Sequence, residues 1–166
     1  MEFEVYVRDA QRALWRFAVV LCDDPILAED IVTDVLGRAY ERWDQVSRAD
    51  HVHAYVRRMV VNEYLSWRRR RVRTVLSPDL LALAGSTEDH STQHAERAQL
   101  LAELGRLPRK QRAALVLHYY EGLTVDEIAD VLGVAPGSVR SNVSRGLATL
   151  RVGLGVDPLS SQPRET

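Results

Sequence analysis

TVDEIADVLGVAPGSVRSNVSRGLATLR, residues Thr124 to Arg151, holds two apolar stripes at helical spacing around a single glycine turn. Thr124 followed three residues on by Glu127 is a capping box, the mark of a helix start. Ile128, Ala129 and Leu132 would face inward on a short helix. Gly133 stands where a tight turn needs a residue tolerant of positive φ. Pro136 suits the first turn of a second helix, since its missing N–H would be unpaired there anyway. This spacing predicts a helix-turn-helix, whose second helix enters the major groove of DNA.

At 100° per residue the second helix splits into two faces. Val139, Val143, Leu147 and Leu150 cluster on one side as core. Ser138, Ser141 and Arg145 lie opposite, flanked by Arg140, Asn142 and Ser144. Small hydroxyls permit close approach to a groove, while Arg and Asn can read guanine and adenine edges. Arg151 lies one turn beyond as a phosphate contact. Lys110 and Arg112, on the preceding helix, either hold phosphate or are only solvated. A helical hairpin with a solvated polar face is the plainer alternative; the coincidence of capping box, glycine, proline and small polar face favours DNA.

Outward from this motif the chain reads as helix throughout, with no strand alternation. Phe3, Val7, Ala10, Leu14, Phe17 and Leu21 predict a helix over residues 2–21. Asp23-Asp24-Pro25 supplies a cap and a first-turn proline for a second helix. Its stripe is Ala28, Ile31, Val32, Val35, Ala39 and Trp43. Asp44–Asp50 reads as a loop. A third helix is expected from about Val52 to Arg71, with Tyr55, Val56, Met59, Val60 and Leu65 inward. Residues 74–94, with Pro78, Gly85 and a Ser/Thr/His-rich run, read as a linker. Helical pattern returns from about Ala95 to Gly105, and again from Pro108 to Tyr120 before Gly122. The expectation is therefore an all-α fold: two small helical domains, 1–73 and 95–152, joined by a flexible linker at 74–94. The second contains the helix-turn-helix, and a disordered tail follows at 153–166.

Charge is segregated. The 166-residue chain has formal net charge −1, yet residues 1–47 carry −5, 48–73 carry +6, 74–105 carry −4 and 106–151 carry +3. Two basic blocks alternating with acidic ones suggest two nucleic-acid contacts and one surface meant for a basic partner. The first basic block ends in WRRRRVR (Trp67–Arg73). Arginines at a helix C-terminus gain about 0.3–1 kcal/mol each from the macrodipole, enough to account for one or two. Arg57, Arg58, Arg68, Arg69, Arg70, Arg71 and Arg73 together call for phosphate. Tyr64 and Trp67 would stack on exposed bases, with Trp67 alternatively walling the core. Asn62, among Val60, Val61 and Leu65, either satisfies backbone or lines a base pocket. On the second helix, Asp30, Thr33, Asp34, Gly37 and Glu41 form a narrow acidic face. Such a face is usually only solvated; the alternative is a flat seat for a basic helix, which would explain Gly37, a residue that costs about 1 kcal/mol inside a helix.

Other chemistry finds no support in the pattern. Cys22 is the single cysteine, in an apolar run, and reads as a small buried residue without an intramolecular disulfide. No paired carboxylates, phosphate loop or nucleophile–base pattern points to an enzyme, and no metal or other cofactor is implied. No stretch reaches the about 18 apolar residues of a membrane span. A cytoplasmic protein without membrane insertion is expected.

The layout as a whole resembles a bacterial extracytoplasmic-function, or group IV, sigma factor over roughly residues 1–152. AEDIVTDVLGRAYERW (Ala28–Trp43), HAYVRRMVVNEYLSWRRRR (His53–Arg71), LPRKQRAALVLHYYEGLTVDEIADVLGV (Leu107–Val134) and APGSVRSNVSRGLATLR (Ala135–Arg151) carry the resemblance. It implies that the first domain docks on the clamp coiled coil of core RNA polymerase and melts the minus-ten element. The second would dock on the flap tip and read the minus-thirty-five element. Asp30, Thr33, Asp34, Arg38 and Glu41 match the polymerase-docking helix. Asp44–Asp50 matches the loop that captures a flipped minus-ten base. The resemblance implies that Asn62 would line that pocket, with Trp67 and Arg68–Arg71 on the adjoining strand. Ser138, Arg140, Ser141, Asn142, Ser144 and Arg145 match the minus-thirty-five recognition helix. The resemblance also implies an anti-sigma factor and response to a stress or envelope signal. Thr33 replaces a common glutamine, Ala135 a serine cap and Asn142 a common arginine. Two rivals from other classes are a dimeric repressor using only the C-terminal motif and an adaptor that binds protein without DNA.

Overall fold

The computed structural model describes residues 1–66 and 91–156. Among these every regular element is helical. The chain divides into two compact units, one carrying 1–87 with 130–133 and one carrying 88–129 and 134–166.

The first unit holds α1 (Phe3–Cys22), α2 (Pro25–Glu41), the single turn α3 (Trp43–Val46) and α4 (Val52–Ser66). α1, α2 and α4 pack against one another. Their stripes interlock: Leu14, Phe17 and Leu21 of α1, Ile31 and Val35 of α2, and Val56, Val60 and Val61 of α4 are fully buried. Each such side chain contributes about 1.5–3 kcal/mol by leaving water. Asp23, in the left-handed conformation at φ 57°, ends α1. Asp24 then caps α2 as its spacing foretold. Its Oδ1 accepts from the amides of Ile26 at 3.0 Å and Leu27 at 3.1 Å, with Pro25 in the first turn.

Several inward residues differ from the sequence expectation. Tyr6, outside the expected stripe, is buried, while Val7 is half-buried. An aromatic shelf accounts for this: the Tyr6 ring lies 5.2 Å from Trp43 and 6.1 Å from His53, and Phe3 packs on Tyr40 and Trp43 at 5.0 and 5.2 Å. Trp43 therefore does not continue the α2 stripe. It opens α3, its indole N–H donating to the Met1 carbonyl at 3.0 Å. The expected loop Asp44–Asp50 begins inside that turn, and Val46 anchors it in the core. On α4, Tyr55 is exposed and Tyr64 is buried at 4%. The expected inward Tyr55 and base-stacking Tyr64 thus exchange places. Tyr64 continues the i, i+3, i+4 rows of Val56, Val60 and Val61. Arg57 is half-buried, its guanidinium 5.7 Å from the Phe17 ring centroid, which makes it packing rather than an outward phosphate ligand. Cys22 is half-buried rather than buried.

The helices that follow are α5 (Ser91–Arg106), α6 (Arg109–Leu115), α7 (Val125–Leu132) and α8 (Pro136–Gly153), which build the second unit apart from residues 130–133. α5 begins four residues earlier than its apolar pattern suggested, because Ser91–His94 carry no stripe of their own. α6 runs on as a π-helical turn, Val116–Tyr120, closed by Gly122 at φ 71°. His118 Nδ1 bonds the Leu123 carbonyl at 2.9 Å and ties that exit down. Leu107, Leu115 and Leu150 form the centre, with Leu104, Val143 and Leu147 packed on it. Arg112, read as a possible phosphate ligand, is 2% exposed on the inner side of α6 and is not available to DNA.

Candidate nucleic-acid and polymerase interfaces

The helix-turn-helix has the geometry its sequence implies. The Thr124 hydroxyl accepts from the Glu127 amide at 3.3 Å. The Glu127 carboxylate accepts from the Thr124 amide and hydroxyl, both at 2.8 Å. These bonds hold the Glu127 carboxyl below its ordinary range, the backbone amide of Thr124 contributing most. Ile128 and Ala129 are buried, and Leu132 is half-buried. Gly133 turns the chain at φ 64°. Pro136 lies in the first turn of α8, and Ala135 at the cap position makes no side-chain bond. The Ala135 carbonyl instead takes the amides of Ser138 at 2.9 Å and Val139 at 3.3 Å, so backbone alone starts this helix.

Val139, Gly146 and Leu150 hold α8 against the core. Gly146 is glycine for a steric reason: a β-carbon there would meet Leu115 Cδ1 at 2.7 Å. The opposite face stays open. Ser138, Arg140, Ser144 and Arg145 are exposed, and Ser141 and Asn142 are half-buried. Ser138, Ser141, Asn142 and Arg145 line an open groove of about 350 Å³ together with Lys110, Val134 and Gly137. Arg140 and Ser144 do not line it. The groove adds two residues whose sequence signal was weak. Gly137 leaves its floor without a side chain, and Lys110 supplies a cation from α6. Only the three-dimensional neighbourhood distinguishes Lys110 from an ordinary solvated lysine.

In the first unit, Asp30, Thr33, Asp34, Arg38 and Glu41 are all exposed on one face of α2. Among the described residues a β-carbon on Gly37 would meet nothing within 4 Å, so no packing there requires glycine. Arg38 is tied down: its guanidinium pairs with Glu63 of α4, and its Nε points to the Asp34 carbonyl at 3.4 Å. Glu63 carried no signal in the sequence beyond its place beside Asn62. Asn62 itself is exposed on α4 rather than embedded among its apolar neighbours. Trp67 and Arg68–Arg71, with Arg73 and residues 74–90, lie outside the described residues, as does the tail beyond 156. At the α1–α4 contact, Tyr6 Oη lies 3.2 Å from His53 Nδ1. Burial pushes Tyr6 up to about 12. Burial and then the nearby Arg57 push His53 down.

Among the described residues no cluster of His, Cys, Asp and Glu has the arrangement of a metal site. No described helix is long and apolar enough to cross a membrane.

Comparison with known proteins bears on both units. The family described as Sigma-70 region 2 matches residues 6–74, and that described as Sigma-70, region 4 matches residues 97–150. An RNA polymerase sigma-E factor of Streptomyces avermitilis is 40% identical over 91% of this chain and 84% of its own. The ECF RNA polymerase sigma factor EcfG of Rhodopseudomonas palustris is 30% identical over 87% of this chain and 81% of its own. Among solved structures, the sigma factor RpoE of Bartonella quintana, crystallised with the anti-sigma factor NepR, superposes with a TM-score of 0.69. It covers 93% of this chain and 98% of that one at 24% identity, a likeness of fold.

Proposed function

The chain belongs to the extracytoplasmic-function family of RNA polymerase sigma factors, and we propose which of its surfaces does what within that role. It is a transcription initiation factor without catalytic activity. It binds core RNA polymerase and directs promoter-specific initiation. The domain spanning 1–73 docks through Asp30, Thr33, Asp34, Arg38 and Glu41 on the basic clamp coiled coil. Asp44–Asp50 and Asn62 select the flipped minus-ten base, and Trp67 with Arg68–Arg71 hold the adjoining strand. The domain spanning 95–152 docks on the flap tip and reads the minus-thirty-five duplex with Ser138, Arg140, Ser141, Asn142, Ser144 and Arg145. Lys110 joins this set as a phosphate contact. The protein works in the cytoplasm, under an anti-sigma factor that releases it on a stress or envelope signal.

The observation that carries this reading is the α8 groove. Its polar lining faces solvent in one continuous surface with the Lys110 cation, while the reverse of the same helix is locked by Val139, Gly146 and Leu150. A rigid helix with small polar residues beside a phosphate ligand suits duplex DNA in its major groove. Selection from a randomised promoter library by reconstituted holoenzyme tests the assignment. Two enriched blocks at constant spacing are expected. Substituting Asn142 should change the upstream block and substituting Asn62 the downstream one. Enrichment of a palindrome by the chain without polymerase would support the repressor instead.

A further inference from the structure

The proposed docking face on α2 contains three exposed carboxylates, Asp30, Asp34 and Glu41, and one cation, Arg38. Arg38 stands four residues after Asp34 and three before Glu41, spacings at which helical side chains pair. Yet among the described residues neither carboxylate holds an ion pair. The guanidinium reaches across to Glu63 of α4, while its Nε is directed at the Asp34 backbone carbonyl at 3.4 Å. The two partners differ in shelter. The Glu63 side chain is 16% exposed and that of Arg38 49%. The carboxylate is the fixed end, and the outer half of the guanidinium remains open to a partner. A guanidinium has five N–H donors, so these two bonds leave others free to donate outward.

We propose that Glu63 is a positioning residue for polymerase docking. It pins Arg38 in one orientation on the acidic face, as a preset donor for a carboxylate or carbonyl of core polymerase. The proposal rests on the α2 face being the docking face. A pinned arginine loses less side-chain freedom on binding than a free one. It is also kept from folding onto Asp34 or Glu41, which leaves those acids unneutralised for a basic partner. The lone cation in an acidic patch further gives the contact a register that uniform charge would lack.

A double-mutant cycle on the full chain, with affinity for purified core polymerase as readout, tests this. Arg38→Ala and Glu63→Gln should each weaken binding by roughly three- to tenfold. Glu63→Gln should cost nothing further in the Arg38→Ala background. A merely structural role for Glu63 would lower affinity equally in both backgrounds, and that result overturns the proposal. If Glu63→Gln does not fold, Arg38→Lys serves: it keeps the charge but cannot hold Glu63 and the Asp34 carbonyl together. Wild-type affinity for Arg38→Lys would then overturn the proposal. Asp30→Asn with Asp34→Asn separates the two levels of inference. Unchanged affinity and salt dependence in that variant removes the docking face itself. Loss there, with Glu63→Gln at wild-type affinity, removes only the role of Glu63.

Discussion

Gly146 of α8 lies so close against Leu115 of α6 that a β-carbon would come within 2.7 Å of Leu115 Cδ1 and 3.2 Å of its Cγ. Leu115 is 2% exposed in the core cluster of the second unit, so relieving the contact means moving its side chain among packed neighbours. Alanine would gain about 1 kcal/mol in helix propensity. Overpacking costs typically about 1–3 kcal/mol. Gly146→Ala should therefore lower the stability of the unit, by up to about 2 kcal/mol. Thermal or urea melts of wild type and variant provide the check.

Gly37 presents the opposite case. Its absent side chain answers to nothing among the described residues. Gly37→Ala should raise stability by up to about 1 kcal/mol. If α2 seats a helix of the polymerase there, the same variant binds core polymerase more weakly. Melting and core affinity then move in opposite directions, and unchanged affinity would show that nothing approaches closely at that point.

His53 makes the first unit sensitive to acid. Its folded-state pKa lies below the ordinary 6.5, so the unfolded chain takes up the proton first. The stability this confers is complete above about pH 6.5 and is lost as pH falls from there toward the depressed value. His53→Gln should flatten the drop in melting temperature between about pH 7.5 and 5.5. Equal drops in variant and wild type would contradict it. Tyr6 acts at the other extreme. Its value of about 12 lies above the ordinary 10.0, so its contribution is lost as pH rises through that interval.

On promoter DNA, Arg145 and Lys110 should separate by kind of loss. Arg145→Ala should cost about 1–3 kcal/mol on the cognate upstream element and little on a scrambled one, the behaviour of a base contact. Lys110→Ala should weaken both alike and reduce the salt slope of binding by about 1. Holoenzyme titrations at several salt concentrations distinguish the two.

What was legible in the sequence divides along physical lines. Local signals are legible. The Asp24 cap, the Thr124–Glu127 box, the Gly133 turn and the proline starts at Pro25 and Pro136 each depend on a few adjacent residues. The stripes that build α1, α2 and α8 were also plain, because period 3.6 needs no knowledge of the partner. The pattern is silent where neighbours distant in the chain decide burial. Tyr6 and Trp43 are drawn together with Phe3, Tyr40 and His53 in a shelf whose members span residues 3 to 53. Arg57 carries the charge of a phosphate ligand and Arg112 that of a phosphate ligand or a solvated side chain, but one packs on Phe17 and the other is buried on the inner side of α6. Tyr55 and Tyr64 were exchanged because α4 has a weak stripe and two tyrosines of equal intrinsic preference. The Arg38–Glu63 pair joins residues 25 apart, beyond any local pattern.

Promoter choice by core polymerase depends on this chain. The deciding measurement is run-off transcription with purified core enzyme on a template carrying the selected two-block promoter. A discrete transcript is expected only when chain and core are both present. Scrambling the minus-thirty-five block should lose that transcript, and so should Asp30→Asn with Asp34→Asn. Equal transcription with and without the chain would contradict it, as would specific operator binding by the chain alone that represses and never initiates.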